Sequence, residues 1–378
     1  MTSDSGRPMT FELTGPGTIA GRYLRQFWQP VMLSHELSKQ RPRPIQIMGE
    51  RFTIYRGAGG TVHLSQFRCP HRGTQLSTGW VEGDSLRCRY HGWKFDAQGQ
   101  CIEQPGGRNN VGFADKVKLN THPVREYLGL IFAYLGEGAA PELPRFQQFD
   151  ESLLLIPMKY ERRCNYFQNM ENSIDEMHIP FVHNSSAFTN AKLNEELPVV
   201  DAEETPYGFM QTGLRSNNRM RKQHFIMPNI LLAKVPPELP EEKGWRDYIS
   251  WRVPLDDTTH MSFFVQSLSV DDHHEAAAVA SRVQNDCSET LEIATQILAG
   301  EARLDDYGGY QDLLNLQDMV VQLGQGPIAD RSAERLTRSD APILLLRKLW
   351  AQELSLLKNS KTLTDWKIPK AAVITAGL

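Results

Sequence analysis

No apolar stretch of the sequence is long enough to cross a bilayer. Runs such as Leu128 to Leu135 and Ile343 to Leu346 fall far short of the ~20 residues a spanning helix needs, so no membrane partner is expected. The N-terminus, Met1-Thr2-Ser3-Asp4-Ser5-Gly6, lacks a basic region followed by an apolar one, so no secretory leader is expected and the cytoplasm is the expected compartment. Charge of neither sign dominates: the formal net charge is -4 and the pI is near 6.3, which argues against nucleic acid as a main partner. Cysteine is scarce, five in 378 residues, and an odd count spread this widely does not suggest a disulfide framework. No internal repeat or low-complexity segment is present. Gly15-Pro16-Gly17 with Gly21 only loosely resembles a glycine-rich phosphate loop, and no strand leads into it; it reads as a turn before a helix.

The length exceeds that of a usual single core, so two domains are expected, 1–152 and 153–378. Residues Arg22 to Leu37 read as helical, broken at Pro30. Strand patterns follow at Ile45 to Met48, Phe52 to Tyr55 and Val62 to Leu64, then at Leu86 to Arg89, Trp93 to Phe95 and Leu130 to Leu135. Ala140 to Pro144 reads as a connector. Beyond Leu153, alternating segments at Gly208 to Leu214, His224 to Val235, Tyr248 to Val253 and Met261 to Leu268 predict an antiparallel sheet. Helical patterns then dominate at Glu275 to Leu298, Gln311 to Leu323 and Pro342 to Leu357, giving an α+β class.

Two of the few cysteines stand beside histidines, as Cys69-Pro70-His71 and Cys88-Arg89-Tyr90-His91, with residues 72–87 between the pairs. Thiolates suit iron–sulfur ligation, and in a Rieske [2Fe–2S] centre two imidazoles replace two thiolates on one iron. Softness alone also allows a zinc site with two cysteines and two histidines. Zinc fingers, however, pair like with like, whereas each short motif here mixes the two types. A cluster needs each loop to supply one ligand to each iron, which mixed pairs do. Cys101, Cys164 and Cys287 are read as free thiols. With no flavin or nicotinamide site and no ferredoxin-type cysteine run, the electrons are expected from another protein.

Asn172-Ser173-Ile174-Asp175-Glu176-Met177-His178-Ile179-Pro180-Phe181-Val182-His183 is the other dense group of possible ligands. Asp175 and His178, three apart, would share a helical face. His178 and His183, five apart, would stand ~140° apart on an ideal helix, so they converge only if the helix ends or distorts between them. Pro180 supplies a cause. Two histidines and a carboxylate on one face of Fe(II) leave positions open for O2 and substrate. The plainer alternative is two unrelated histidines near a helix end. For the carboxylate, Asp305, Asp306, Asp312, Asp318 and Asp330 are all within reach of spacing alone.

These motifs together resemble the catalytic (alpha) subunit of the Rieske non-haem iron oxygenases, and most of all the phthalate dioxygenase-type branch. Val253-Pro254-Leu255-Asp256-Asp257-Thr258, Gln317-Asp318 and Gln325 to Ser332 extend the likeness, which runs from about Gly15 to Asp340. The resemblance implies a β-rich Rieske domain and a catalytic domain with an antiparallel sheet surrounded by helices. It implies a homotrimer, or a hexamer of stacked trimers, whose electrons cross between neighbouring subunits. It makes Cys69, His71, Cys88 and His91 the cluster ligands, and His178 and His183 iron ligands. Gln317-Asp318 best matches the family's late-helix carboxylate; Asp318 also sits in an apolar stretch where a metal would compensate its charge. Asp175 matches the bridging aspartate between His178 and the cluster ligand His91 of an adjacent chain. Asn172 resembles a residue beside the iron, with helix capping as the alternative.

The implied activity is that of a terminal oxygenase: O2 is activated at mononuclear Fe(II) with electrons from the cluster and a separate NAD(P)H-dependent flavin and iron–sulfur reductase. The substrate would be an aromatic compound, often carboxylated, undergoing mono- or dihydroxylation. O- or N-demethylation is the alternative within the same chemistry, and a Rieske electron-transfer protein the alternative outside it. Arg215, Arg219, Arg221 and Lys222 could hold a substrate anion, against a plainer reading as a solvated loop or subunit contact. His273 and His274 read as exposed, and Trp93 as packing beside the cluster or as a core aromatic.

Overall fold

A computed structural model describes residues 11–106, 112, 116–149, 154–183, 192–236, 245–268 and 288–369. The chain divides into two compact units, Arg25–Leu143 on one side and Met1–Leu24 with Pro144–Leu378 on the other. The boundary expected after residue 152 lies outside the described residues, and the described part of the N-terminal segment groups with the later unit. Helix α1 (Ile19–Leu24) explains this, because Tyr23 meets Trp350 edge-on at 5.1 Å.

Among its described residues, the smaller unit is built on strands, with single 3-10 turns at Ser34–Glu36 and Leu76–Thr78. Its elements are β1 (Gln29–Leu33), β2 (Arg43–Ile47), β3 (Glu50–Arg56), β4 (Val62–Gln66), β5 (Trp80–Glu82) and β6 (Ser85–Arg87). They continue with β7 (Lys94–Phe95), β8 (Cys101–Glu103), β9 (Thr121–His122), β10 (Val124–Tyr127) and β11 (Leu130–Ala133). Three sheets form, in the orders β1-β11-β10, β2-β3-β4-β9 and β5-β6-β7-β8. The helix expected over 22–37 is corrected: it ends at Leu24, and Gln29–Leu33 pairs as an edge strand with β11. Pro30 is tolerated there because an edge strand can lack a donor, and the register shifts between Pro30 and Met32.

In the larger unit, β12 (Leu154–Arg162), β13 (Val199–Thr205), β14 (Gly208–Leu214), β15 (Met220–Ile226), β16 (Ile230–Val235), β17 (Arg246–Pro254) and β18 (His260–Leu268) make one antiparallel sheet, ordered β12-β18-β17-β16-β15-β14-β13. The segment expected as one strand over 224–235 is two, divided at Met227-Pro228-Asn229, where proline cannot donate to a ladder. Among the described residues, this unit also carries the helices α2 (Tyr166–Ser173), α3 (Ile179–Val182) and, after the sheet, α4 (Ser288–Leu298). They are followed by α5 (Leu313–Leu323) and α6 (Ala341–Lys358). Leu346, Leu349, Trp350, Glu353 and Leu354 give α6 its buried stripe, and Trp350 donates its indole N–H to the Pro228 carbonyl at 3.0 Å. Trp350 and Trp251 are among the largest fully buried side chains, each contributing roughly 1.5–3 kcal/mol through burial. Helix α2 packs on β17, and α5 on α2 and α3, so one end of the sheet is closed by helices.

Candidate functional site

The two cysteine loops share one backbone design. In each, the glycine four residues after the cysteine donates its N–H to the cysteine carbonyl, Gly73 to Cys69 at 2.9 Å and Gly92 to Cys88 at 3.1 Å. In each, the cysteine N–H donates one residue further on, to Thr74 O at 2.8 Å and Trp93 O at 2.9 Å. Both glycines are left-handed, with φ of 74° and 69°, which a side chain would strain. The common frame explains how one histidine can stand two residues after its cysteine and the other three. Cys69 and Cys88 are buried in a core with Leu76, Val81, Leu86, Phe95 and Cys101, while His71 and His91 are exposed with ring centroids 4.5 Å apart. Trp93 stacks flat on His71 at 4.5 Å. Burial first, with the Cys88 sulfur adding to it against main-chain donors at His71 and Arg72, pushes the Cys69 thiol up to about 12. A thiolate there needs cationic company, which fits iron. Thus the four residues could hold a cluster with its thiolate side buried and its imidazole side at the surface.

The second group converges from three elements. Helix α2 begins at Asn165, whose side chain accepts from Phe167 N–H, and stops at Ile174. Residues 174–178 are non-helical, and α3 is a single turn with His178 just before it and His183 just after it. The expected break is therefore present but displaced: it precedes His178, and Pro180 sits in the first turn of α3, where its missing N–H costs nothing. Asp175 and His178 consequently share a link, not a helical face.

The imidazole Nε2 atoms of His178 and His183 lie 3.2 Å apart, and Asp318 Oδ1 from α5 lies 3.7 and 3.3 Å from them respectively. His178 Nδ1 donates to the main-chain carbonyl of Asp175, and His183 Nδ1 donates to Gln317 Oε1 at 3.0 Å. With both Nδ1 atoms donating, each imidazole in its neutral form presents its Nε2 lone pair to the other and to a carboxylate. Three acceptors facing one point repel unless a cation lies between them. Ligand atoms adjacent on one face of an octahedron stand about 3 Å apart when bonds are about 2.1 Å long, so the spacing fits a metal. Among the described residues, this is the one group of three such side chains with ligand atoms within 4.8 Å of one another.

Charge tells the same story. Burial pushes the Asp318 carboxyl up, but His183, His178 and Arg162 outweigh it and hold it well below the usual carboxylate range. Burial lowers His183, yet Asp318 and Gln317 lift it above its ordinary value. A metal ion would take the place of the proton this pair attracts. Asn172 is not a helix cap: its Nδ2 reaches Asp318 Oδ1 at 3.4 Å while Gln322 donates to its Oδ1 at 2.7 Å. The Asp175 carboxylate accepts from Met177 N–H at 2.8 Å, so its link to His178 within the chain is through the main chain. Asp312 instead accepts from Tyr160, Thr290 and Asn315, and Asp330 caps Ser332. Asp305 pairs with Arg303 at the surface.

Two residues of the basic run, Arg215 and Arg221, are neither solvated nor free to hold an anion. Arg215 and Arg221 are buried and grip both oxygens of buried Glu176, at 3.0 and 2.6 Å. Glu176 packs so closely that a Cβ on Gly213 would meet its Cγ at 2.6 Å. This clamp fixes the link that carries Asp175 and His178. Arg219 pairs with Glu196 at 3.4 Å, and Lys222 is half-buried on β15. Cys101 and Cys164 are free and buried; Cys287, His273 and His274 lie outside the described residues. Sequence reasoning gave no site role to Glu176, Gln317 or Gln322, although Gln317 stands beside the aspartate singled out. A cavity of about 700 Å³ opens beside the three ligand-type groups, lined by Asn172, Asp175, His178, His183 and Asp318 at one end and by the face of the sheet along its length.

Residues 27–123 match the family described as the Rieske [2Fe-2S] domain, and residues 133–376 the family described as LigXa C-terminal domain like. The chain belongs to the Rieske non-haem iron oxygenases. It is 31% identical over 366 residues to the 5,5'-dehydrodivanillate O-demethylase oxygenase subunit of Sphingobium sp. (strain NBRC 103272 / SYK-6), covering 92% of this chain and 79% of that one. It is 31% identical over 361 residues to the tert-butanol monooxygenase / tert-amyl alcohol desaturase oxygenase subunit of Aquincola tertiaricarbonis, covering 89% and 74%. Pseudomonas putida CBB5 NdmA with caffeine shares the fold, with a TM-score of 0.69 at 22% identity over 91% of this chain and 94% of that one. This oxygenase therefore carries a Rieske [2Fe–2S] cluster and a mononuclear non-haem iron, and is an oxidoreductase that uses O2. No helix among the described residues is long and apolar enough to cross a membrane.

Proposed function

We propose that this cytoplasmic oxygenase hydroxylates an aromatic substrate at an iron held by His178, His183 and Asp318, with its cluster held by Cys69, His71, Cys88 and His91. The observation that carries the reading is the meeting of two imidazoles and a half-buried carboxylate at one end of a cavity. When bound, the iron supplies the reductive activation of O2, with electrons from a separate reductase by way of the cluster. The chain's own residues supply the rest. Gln317 and the Asp175 carbonyl fix the two imidazole tautomers, and Asn172 orients Asp318. The sheet face positions the substrate and excludes water.

The resemblance supports a head-to-tail trimer in which the Asp175 carboxylate faces the partner subunit's His91, coupling the cluster of one protomer to the iron of the next. The O-demethylase relative favours a second outcome of the same chemistry, in which a methyl ether carbon is hydroxylated and formaldehyde leaves. The test is a screen of aromatic acids and aryl methyl ethers with a reconstituted reductase, following NADH and O2 consumption together. Coupled consumption is the expected result, and released formaldehyde separates demethylation from ring oxidation. A holoprotein with both metal sites filled that consumes O2 with none of these compounds would contradict the aromatic reading.

A further inference from the structure

The two cysteine loops share more than their backbone turns. Each cysteine is preceded by an arginine, Arg68 before Cys69 and Arg87 before Cys88. Each arginine reaches over its own loop and donates from Nη1 to the carbonyl of the closing glycine five residues on. Arg68 reaches Gly73 O at 2.8 Å, and Arg87 reaches Gly92 O at 2.7 Å. Cys69 with His71, and Cys88 with His91, therefore each lie within a stretch of chain that a guanidinium closes. One arginine on a loop carbonyl is ordinary. The same reach at the same spacing in both loops, whose cysteine and histidine are spaced differently, is a repeated device.

The two cations are held differently. Arg87 is half-buried, and Glu82 grips it with both oxygens, at 2.8 Å from Nε and 3.0 Å from Nη2, while Glu103 accepts from Nη2 at 2.6 Å. Lys94 pairs with Glu82 at 3.0 Å, and the Trp80 indole N–H donates to the same carboxylate at 2.8 Å. Arg87, Lys94, Glu82 and Glu103 thus balance in charge. Arg68 is exposed; its guanidinium lies 5.6 Å from the Phe67 ring centroid, with no carboxylate partner among the described residues. A cluster that takes up an electron gains a unit of negative charge. A fixed cation beside its ligand loops therefore favours the reduced form, and a fixed anion opposes it.

Resting on the reading of Cys69, His71, Cys88 and His91 as cluster ligands, we infer that Arg68 and Arg87 are paired positioning residues that latch the two ligand loops and, by their charge, hold the cluster's reduction potential up. Glu82 and Glu103 moderate the second arginine. The experiment is a redox titration of the holoprotein, followed by the cluster's visible absorbance and electron paramagnetic resonance. It compares the wild type with Arg68→Gln, Arg68→Lys, Arg87→Gln and Glu82→Gln. Poised at the wild-type midpoint, Arg68→Gln and Arg87→Gln should raise the oxidised-to-reduced ratio at least about twofold, the effect of one unit charge acting through a watery dielectric. Glu82→Gln should move the ratio the other way, and Arg68→Lys should stay near the wild type by keeping the charge. Added salt should shrink the Arg68→Gln effect more than the Arg87→Gln effect, because an exposed charge is screened more.

Arg87 also ties β6 to β5 and β8 through Glu82 and Glu103, so Arg87→Gln can lose its cluster. Arg68→Gln and Glu82→Gln decide in that case. Unchanged midpoints in those two cluster-loaded variants overturn the inference and leave the arginines as loop latches alone. A shift in Arg68→Lys as large as in Arg68→Gln overturns it equally, because the charge would then carry nothing. Cluster absorbance missing from the wild type, or retained in Cys88→Ala, overturns the ligand reading and the inference with it. A cluster lost in Cys88→Ala, with one midpoint shared by all the other variants, counts against the inference alone.

Discussion

In the loops at Cys69 and Cys88, each ligand-type pair, its closing glycine and its backbone hydrogen bonds fall within six consecutive residues. His178, His183 and Asp318 instead meet from a one-turn helix and from α5, with Gln317, Gln322 and the Glu176 clamp supporting them from afar. The first arrangement places its imidazoles at the surface and its sulfurs inside; the second buries His183 and half-buries His178 and Asp318 beside a cavity. The difference follows the tasks. An electron relay needs an accessible edge and a rigid frame, whereas a reaction centre needs a shielded pocket with open metal positions.

The comparison breaks hardest at the remote ligand. Asp318→Ala should remove the mononuclear iron and lower substrate-dependent O2 uptake at least about 100-fold, with the cluster's visible absorbance unchanged. Loss of both metals together would show that the two sites fold as one. Asp175→Asn comes next: both metals should stay bound while turnover falls, as measured by iron content and NADH consumption. Normal turnover in that variant would remove the case for a bridge between protomers.

How far the sequence could be read follows from the same contrast. The meeting of the Cys69–His71 and Cys88–His91 loops was legible because contiguous motifs encode local loops. His178 and His183 were legible as a pair, but the reason for their meeting was misplaced: Pro180 starts a helix where it was expected to break one. Asp318 was chosen among five aspartates with help from family likeness, since spacing carries no information across so long a gap. The ion clamp at Arg215, Glu176 and Arg221 was illegible, because charged residues in a row read as solvent-facing until tertiary contacts bury them. Pro30 misled in the other direction, by ending a helix that had already stopped at Leu24.

Support from afar gives a smaller effect. Gln317→Leu leaves every proposed iron ligand in place but removes the acceptor for His183 Nδ1, so iron affinity should fall about 10–100-fold, measured by competition with a chelator. Local frames give the smallest. Gly92→Ala must adopt a φ of 69° and meets Pro105 Cγ at 3.2 Å, so about 1–2 kcal/mol of stability should be lost, read by thermal denaturation. Gly73→Ala has open space around the new methyl and should lose less.

The most direct measurement is iron and acid-labile sulfide in the purified protein, compared with His183→Ala. Two metal sites of different kinds predict about three irons for every two sulfides, falling to about two for two in the variant. A ratio already at two for two in the wild type, or one that His183→Ala leaves unchanged, would contradict the account.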